Sequence, residues 1–188
     1  MKIVKNKYYE IVDEVLEQLD INGKVCIDAT LGNGHDSLKI LKKNPEGFLY
    51  AFDIQNTAIE KSDELLNKNG FNNYKLIKDS HDNMKEYVKG EAELIIFNLG
   101  YLPGADKKVV TKPHSTIMAI KSAIDIISKS GVIIVVSYLG HRGSFAERAA
   151  IEEYLSNLPQ KELMVEKREF FNQVNTPPVV YLIKKEVL

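Results

Sequence analysis

The sequence predicts an α/β fold, a doubly wound sheet of seven mostly parallel strands that ends in an antiparallel C-terminal hairpin, with helices on both faces. Three observations predict it. Short apolar runs alternate with helix-period segments along nearly the whole chain. Between Val25 and Asp36 an apolar run ends in an acid, turns through two glycines and reopens as an apolar-periodic segment, which reads as strand, tight loop and helix. The last two apolar runs, Met164 to Phe171 and Val179 to Lys184, have no helix between them, so they close the sheet as a hairpin.

The elements follow in order. Tyr8, Tyr9, Ile11, Val12, Val15, Leu16 and Leu19 recur at helical spacing, and Asn22-Gly23 ends that helix. The first strand begins at Val25, and the helix from Asp36 to Lys43 stops at Asn44-Pro45, because the residue before proline avoids the helical region. A second strand spans Gly47 to Asp53. A helix from Thr57 to Asn69 follows, with Gly70 as its C-cap. The brief third strand, Tyr74 to Ile77, delivers Asp79, Ser80 and His81 at its carboxyl end, and a weaker helix covers Met84 to Val88. The near-continuous apolar run Ala92 to Phe97 is a buried central strand. It empties into a long loop through His114, which lacks periodicity and is expected to be mobile. Ser115 or Thr116 opens a helix through Ser130, Val132 to Val136 forms the fifth strand, and a helix from Phe145 to Leu158 stops before Pro159.

Composition bounds the function. At 188 residues and 44% hydrophobic content the chain reads as one domain, 1–188, with one sizeable core. The 25 basic and 26 acidic residues nearly cancel, which argues against a wholesale electrostatic grip on nucleic acid while allowing a local basic patch. The lone Cys26 sits in an apolar strand and reads as a core residue of a reducing compartment. The N-terminus has no apolar signal region and no run approaches a membrane span, so a cytoplasmic protein without membrane partners is expected. The four histidines lack ligand spacing and no cysteine pair exists, so no metal site is expected.

The loop after the first strand carries the chemistry. Gly32 and Gly34 permit positive φ and close backbone approach to a ligand at a helix N-terminus, and Asp53, about 20 residues on, is placed to accept hydrogen bonds from ribose hydroxyls. Nicotinamide dinucleotides and S-adenosyl-L-methionine (SAM) share this layout. Two features favour SAM: Ser37 stands where a dinucleotide loop wants a third glycine-like residue, and Asp28 would repel a pyrophosphate but suits a zwitterion with an ammonium and a sulfonium. The expected cofactor set is Asp28, Ala29, Thr30, Gly32, Asn33, Gly34, Asp36, Asp53, Gln55, Ser80, His81 and Asn98, with His35 also lining the cleft.

The acceptor side centres on Asn98-Leu99-Gly100-Tyr101. The Asn98 carbonyl and neighbouring backbone carbonyls can accept N–H bonds and orient an amine lone pair, while Tyr101 packs against the reacting group. An aliphatic amine is mostly protonated at neutral pH, so a base is needed, and Asp106, His141 and Tyr138 are candidates at the same edge. Lys107, Lys108 and Lys112, beside Pro103-Gly104, are either cations that meet phosphates or a solvated loop, and the polar loop Asn172 to Pro178, including Asn172 and Asn175, is either a plain loop or a substrate wall with Leu99, Gly100, Pro103, Gly104, Lys107 and Tyr138.

Taken together, Asp28 to Asp36, Ala51 to Gln55, Phe97 to Gly104, Gly140-His141 and Asn172 to Pro178 resemble the small class I SAM-dependent family known as putative rRNA methylases, whose bacterial members are associated with the tRNA 5-aminomethyl-2-thiouridine methyltransferase. The resemblance spans nearly the whole chain. It implies a Rossmann-like methyltransferase fold, SAM as cofactor, and methylation of the aminomethyl nitrogen of the tRNA wobble uridine at position 34, an anticodon base that is accessible without opening a helix. Ser37 replaces an expected Thr and Ala105 an expected Gly before Asp106, and neither change removes a functional group. A SAM-dependent enzyme acting on an rRNA base or a small amine is the alternative. A non-catalytic RNA-binding module is a third reading, opposed by the intact set Asp28, Gly32, Gly34, Asp53 and Asn98. The small size of the domain beside a tRNA suggests a homodimer.

Overall fold

Residues along a strand point alternately to its two faces, and in this chain the alternation sorts the core into two layers. The computed structural model describes residues 5, 7–100, 111–139, 143–174 and 176–185. Within these, strands β1 (Val25–Asp28), β2 (Phe48–Phe52), β3 (Tyr74–Ile77), β4 (Ala92–Leu99), β5 (Ile127–Ser137), β6 (Leu163–Arg168) and β7 (Val179–Lys185) form one sheet in the order β3-β2-β1-β4-β5-β7-β6. Leu94, Ile96, Ile134 and Val136 face a layer built with α1 (Tyr8–Gln18), α2 (His35–Lys43) and α3 (Asn56–Lys68). Ile95, Phe97, Ile133 and Val135 face the other, covered by α4 (Met84–Tyr87), α5 (Pro113–Ile126) and α6 (Ser144–Ser156). The predicted doubly wound architecture is therefore the observed one.

The closing strands are arranged differently from a simple edge hairpin. β7 returns between β5 and β6 and is antiparallel to both, so β6 is the outer strand and only β7 runs against the sheet. Tyr181 and Ile183 from β7 are buried in the main core.

Four boundaries move. β4 runs to Leu99 rather than ending at Phe97, because Asn98 and Leu99 still pair with Val136 and Ser137 of β5. Asn98 thus stands on rigid strand. The helix expected through Ser130 ends at Ile126, and β5 starts at Ile127 with a register shift between Ala92 and Leu94. Gly131 makes that shift possible: a Cβ there would lie 2.9 Å from the Glu93 carbonyl oxygen and 2.8 Å from Ile127 Cδ1. At the other end α5 begins at Pro113, a residue suited to the first helical turn, so His114 is helical rather than part of the loop. The sixth strand stops at Arg168, leaving Phe171 fully exposed.

Candidate active site

In open α/β sheets the ligand crevice lies beyond the carboxyl ends of the parallel strands, and here a pocket of about 830 Å³ follows that edge from β3 across to β7. The loop after β1 forms its floor. Gly32 and Gly34 take φ of 53° and 76°, in the left-handed region as expected. Ala29 N–H donates to the Ile96 carbonyl (2.8 Å) and Leu31 N–H to the Phe52 carbonyl (2.9 Å), so the loop is sewn to both neighbouring strands. Asp53 fixes it further, accepting Gly32 N–H at 3.0 Å and Gln55 N–H at 2.9 Å. Each carboxylate oxygen keeps lone pairs for a ligand, and Asp53 lines the pocket.

Two residues expected in the cofactor set do not line the pocket. Asp28 is 2% exposed and does not line the pocket: its carboxylate accepts Ser37 Oγ–H at 2.7 Å and Thr30 N–H at 3.1 Å. Burial, with the charge of Asp36 adding to it, pushes its pKa up to about 7. Asp36, in the first turn of α2, does face the pocket, as Asp53 and Asp79 do. Gly34 also stands outside the lining, because its α-carbon is pressed against α3, where a Cβ would meet Ser62 Oγ at 2.8 Å. Its lack of a side chain serves helix packing. Ser62 in turn donates to the Gly32 carbonyl at 3.1 Å and braces the loop from behind.

Ala29, Thr30, Gly32, Asn33, His35, Gln55, Ser80 and His81 all line the pocket. His81 Nδ1–H donates to the Ala29 carbonyl at 3.1 Å, an assignment forced by the carbonyl being only an acceptor, and burial lowers the ring's pKa. Its neutral Nε2 is buried without a partner. Asp79 accepts from Tyr87 Oη at 2.7 Å, Ser80 N–H at 2.7 Å and Asn83 Nδ2 at 3.0 Å, and the Tyr87 bond leads in holding its carboxyl below the usual range.

The acceptor end is organised around Asn98. Its backbone N–H donates to Thr30 Oγ1 at 2.6 Å, its side-chain Nδ2 donates to Asp36, and its Oδ1 accepts Tyr138 Oη–H at 3.2 Å. The amide is therefore held with a known orientation, nitrogen toward α2 and oxygen toward β5. Tyr138 packs edge-on against Tyr8 at 5.3 Å, and burial leads in raising its pKa, so it stays a neutral donor. That disfavours Tyr138 as the base. Leu99 and Gly100 line the pocket beside it. Asn172 is exposed and away from the lining; its loop contributes Thr176, Pro177 and Pro178 instead. Tyr101, Pro103, Gly104, Asp106, Lys107, Lys108, His141 and Asn175 lie outside the described residues.

Sequence patterning missed Tyr8, Tyr9, Lys39, Thr111, Ser115 and Leu139, all of which line the pocket. Consecutive aromatics at a helix start were the available signal, since an amphipathic stripe explains one of two neighbours and not both. Among the described residues no cluster of three metal-ligating side chains occurs, and no helix is long and apolar enough to cross a membrane.

Strand order, a glycine loop at the carboxyl edge of the sheet and a solved neighbour with bound S-adenosylhomocysteine define a class I methyltransferase with SAM as methyl donor. Residues 49–184 match the model of the family described as "Putative rRNA methylase", and the chain belongs to that family. The "putative rRNA-methylase" of Clostridium thermocellum superposes with a TM-score of 0.93 at 33% identity, covering 98% of this chain and 100% of that one. A "putative methyltransferase" of Streptococcus mutans, solved in complex with S-adenosylhomocysteine (SAH), superposes at 0.90 with 32% identity over 97% of this chain and 100% of that one. Among sequences, the chloroplastic tRNA (mnm(5)s(2)U34)-methyltransferase of Arabidopsis thaliana is 35% identical over 194 residues, 97% of this chain and 71% of the relative.

Proposed function

We propose that this chain methylates the aminomethyl nitrogen of 5-aminomethyl-(2-thio)uridine at wobble position 34 of tRNA. The observation that carries it is the clamped amide of Asn98, fixed by Asp36 on one side and Tyr138 on the other at the acceptor end of the pocket. Its Oδ1 retains a second lone pair, which can take one N–H of a primary amine and so aim the nitrogen lone pair. The name of the Arabidopsis relative supports this acceptor. SAM would be held by Asp53, Gln55, Ser80 and the loop from Ala29 to Asn33, and it supplies an electrophilic methyl group on a sulfonium. At the acceptor end, the Asp36 carboxylate draws an ammonium substrate toward Asn98, while Asp106 and His141 remain candidates to take its proton. Because methyl transfer needs an in-line approach, holding the amine is the main contribution such a side chain makes.

Incubating the protein with labelled SAM and tRNA from cells lacking this methylation, then digesting to nucleosides, tests the assignment by mass spectrometry. Conversion of 5-aminomethyl to 5-methylaminomethyl uridine is expected, and Asn98→Ala should lower kcat by about 100-fold, the loss typical of a misplaced reactant, while SAH binding persists. SAH binding without transfer to tRNA would overturn the wobble assignment in favour of an rRNA base or a small amine.

A further inference from the structure

We propose that Tyr9, backed by Tyr8, is a stacking wall for an unstacked nucleobase of the substrate, with the Lys7 ammonium placed beside it for a backbone phosphate. This rests on the reading of the chain as an RNA methyltransferase. The pocket has two ends. Asp53, Gln55, Asp79 and Ser80 mark the end over β2 and β3, whereas Tyr138, Pro177 and Pro178 mark the end over β5 and β7, and α1 packs on β7. A cofactor occupying the first end leaves the second for the acceptor.

Tyr8 and Tyr9 stand at that second end. Tyr9 is 42% exposed although α1 buries Ile11, Val12, Val15 and Leu16, so its ring is surplus to the core. It packs edge-on against Tyr8 at 5.7 Å, Tyr8 packs edge-on against Tyr138 at 5.3 Å, and Tyr138 is bonded to Asn98. A continuous aromatic path thus runs from the pocket rim to the amide that orients the amine. Lys7 Nζ lies over one face of the Tyr9 ring, 5.6 Å from its centroid, and adds positive charge there, so a stacked base would take the other face. An aromatic surface with an adjacent cation is the arrangement by which single-stranded nucleic acid is held without base-edge readout. A small amine would need neither.

An anticodon stem–loop carrying 2-aminopurine at the wobble position reports stacking by fluorescence quenching when titrated with the full chain in the presence of SAH. Tyr9→Phe should bind as the wild type does, whereas Tyr9→Ala and Tyr9→Leu should weaken the Kd by about 10-fold or more, because Leu restores apolar area without a planar face. In methylation assays the same two variants should raise KM for RNA more than they lower kcat, and calorimetry should find SAH affinity unchanged. Tyr9→Ala binding as tightly as wild type overturns the stacking wall while the wobble function stands. Tyr9-dependent quenching without wobble methylation keeps the wall and overturns that function. Failure of the wild type to bind the stem–loop overturns the wall, and tRNA methylation measured in parallel then judges the function separately.

Discussion

Asp28 shows how far a residue's role depends on where its chain neighbours point it. An acid at a strand end beside a glycine loop was legible as a cofactor residue, but sequence cannot show that Ser37 and Thr30 N–H turn the carboxylate inward. Asp36, eight residues later on the first turn of α2, faces the pocket instead. A pKa raised to about 7, against about 3.9 for an unfolded aspartate, makes a signed prediction. The folded protein holds this proton more tightly than the unfolded chain, so Asp28 favours folding fully below about pH 4, and that contribution is lost as pH rises through about 7. Asp28→Asn cannot titrate and keeps an acceptor for Thr30 N–H. The stability of wild type relative to Asp28→Asn should therefore fall by on the order of 1–3 kcal/mol between pH 4.5 and pH 8, read from urea midpoints at each pH. Parallel pH dependence of the two proteins would mean that Asp28 is ionised throughout.

At the level of elements, periodicity located every strand and helix of the sheet, and its errors fall where burial and register separate. The α5–β5 junction was misplaced because Ile126 and Ile127 look alike to any apolar pattern; the shift against β4 that admits Gly131 exists only once the strands pair. The glycine loop was found for the right reason at one position and an incomplete one at the other. Gly34 needs its positive φ, yet it also needs to be small, because α3 comes within contact of its α-carbon. Gly70 supplies the control: its φ is 80° and nothing lies within 4 Å of its would-be Cβ. Gly70→Ala should cost only the backbone strain, about 1 kcal/mol. Gly34→Ala adds displacement of Ser62 and should lower the melting temperature by roughly a further 3–8 °C, at about 2–4 °C per kcal/mol for a chain of this size. Equal losses in thermal melts of the two variants would show that α3 yields freely at Ser62.

Across the whole molecule, a formal charge of −1 from 25 basic and 26 acidic residues has to be reconciled with a polyanionic substrate. Under the proposed function, one nucleotide would be gripped by shape and local chemistry, through Asn98, Asp36 and the aromatic wall, while the 25 cations of the chain are offset by 26 acids and leave no net positive charge to track a tRNA body. Among the described residues, Lys39 lines the pocket and is already paired to Asp13 at 2.7 Å, Lys7 lies by Tyr9, and Arg148 shares a second pocket with Thr176 and Pro177. Each phosphate neutralised by a protein cation releases counterions and adds about −0.7 to the slope of log K against log salt for single-stranded nucleic acid. With roughly three to five phosphates engaged, the expected slope lies between about −2 and −4. Quenching titrations of the anticodon stem–loop at several potassium chloride concentrations measure it directly. A slope in that range means that recognition is concentrated at the flipped base, so that Tyr9→Ala should shift the line downward without changing its gradient. A much steeper slope would require an extended basic surface contacting the tRNA body, and the local grip inferred from the charge balance would then be wrong.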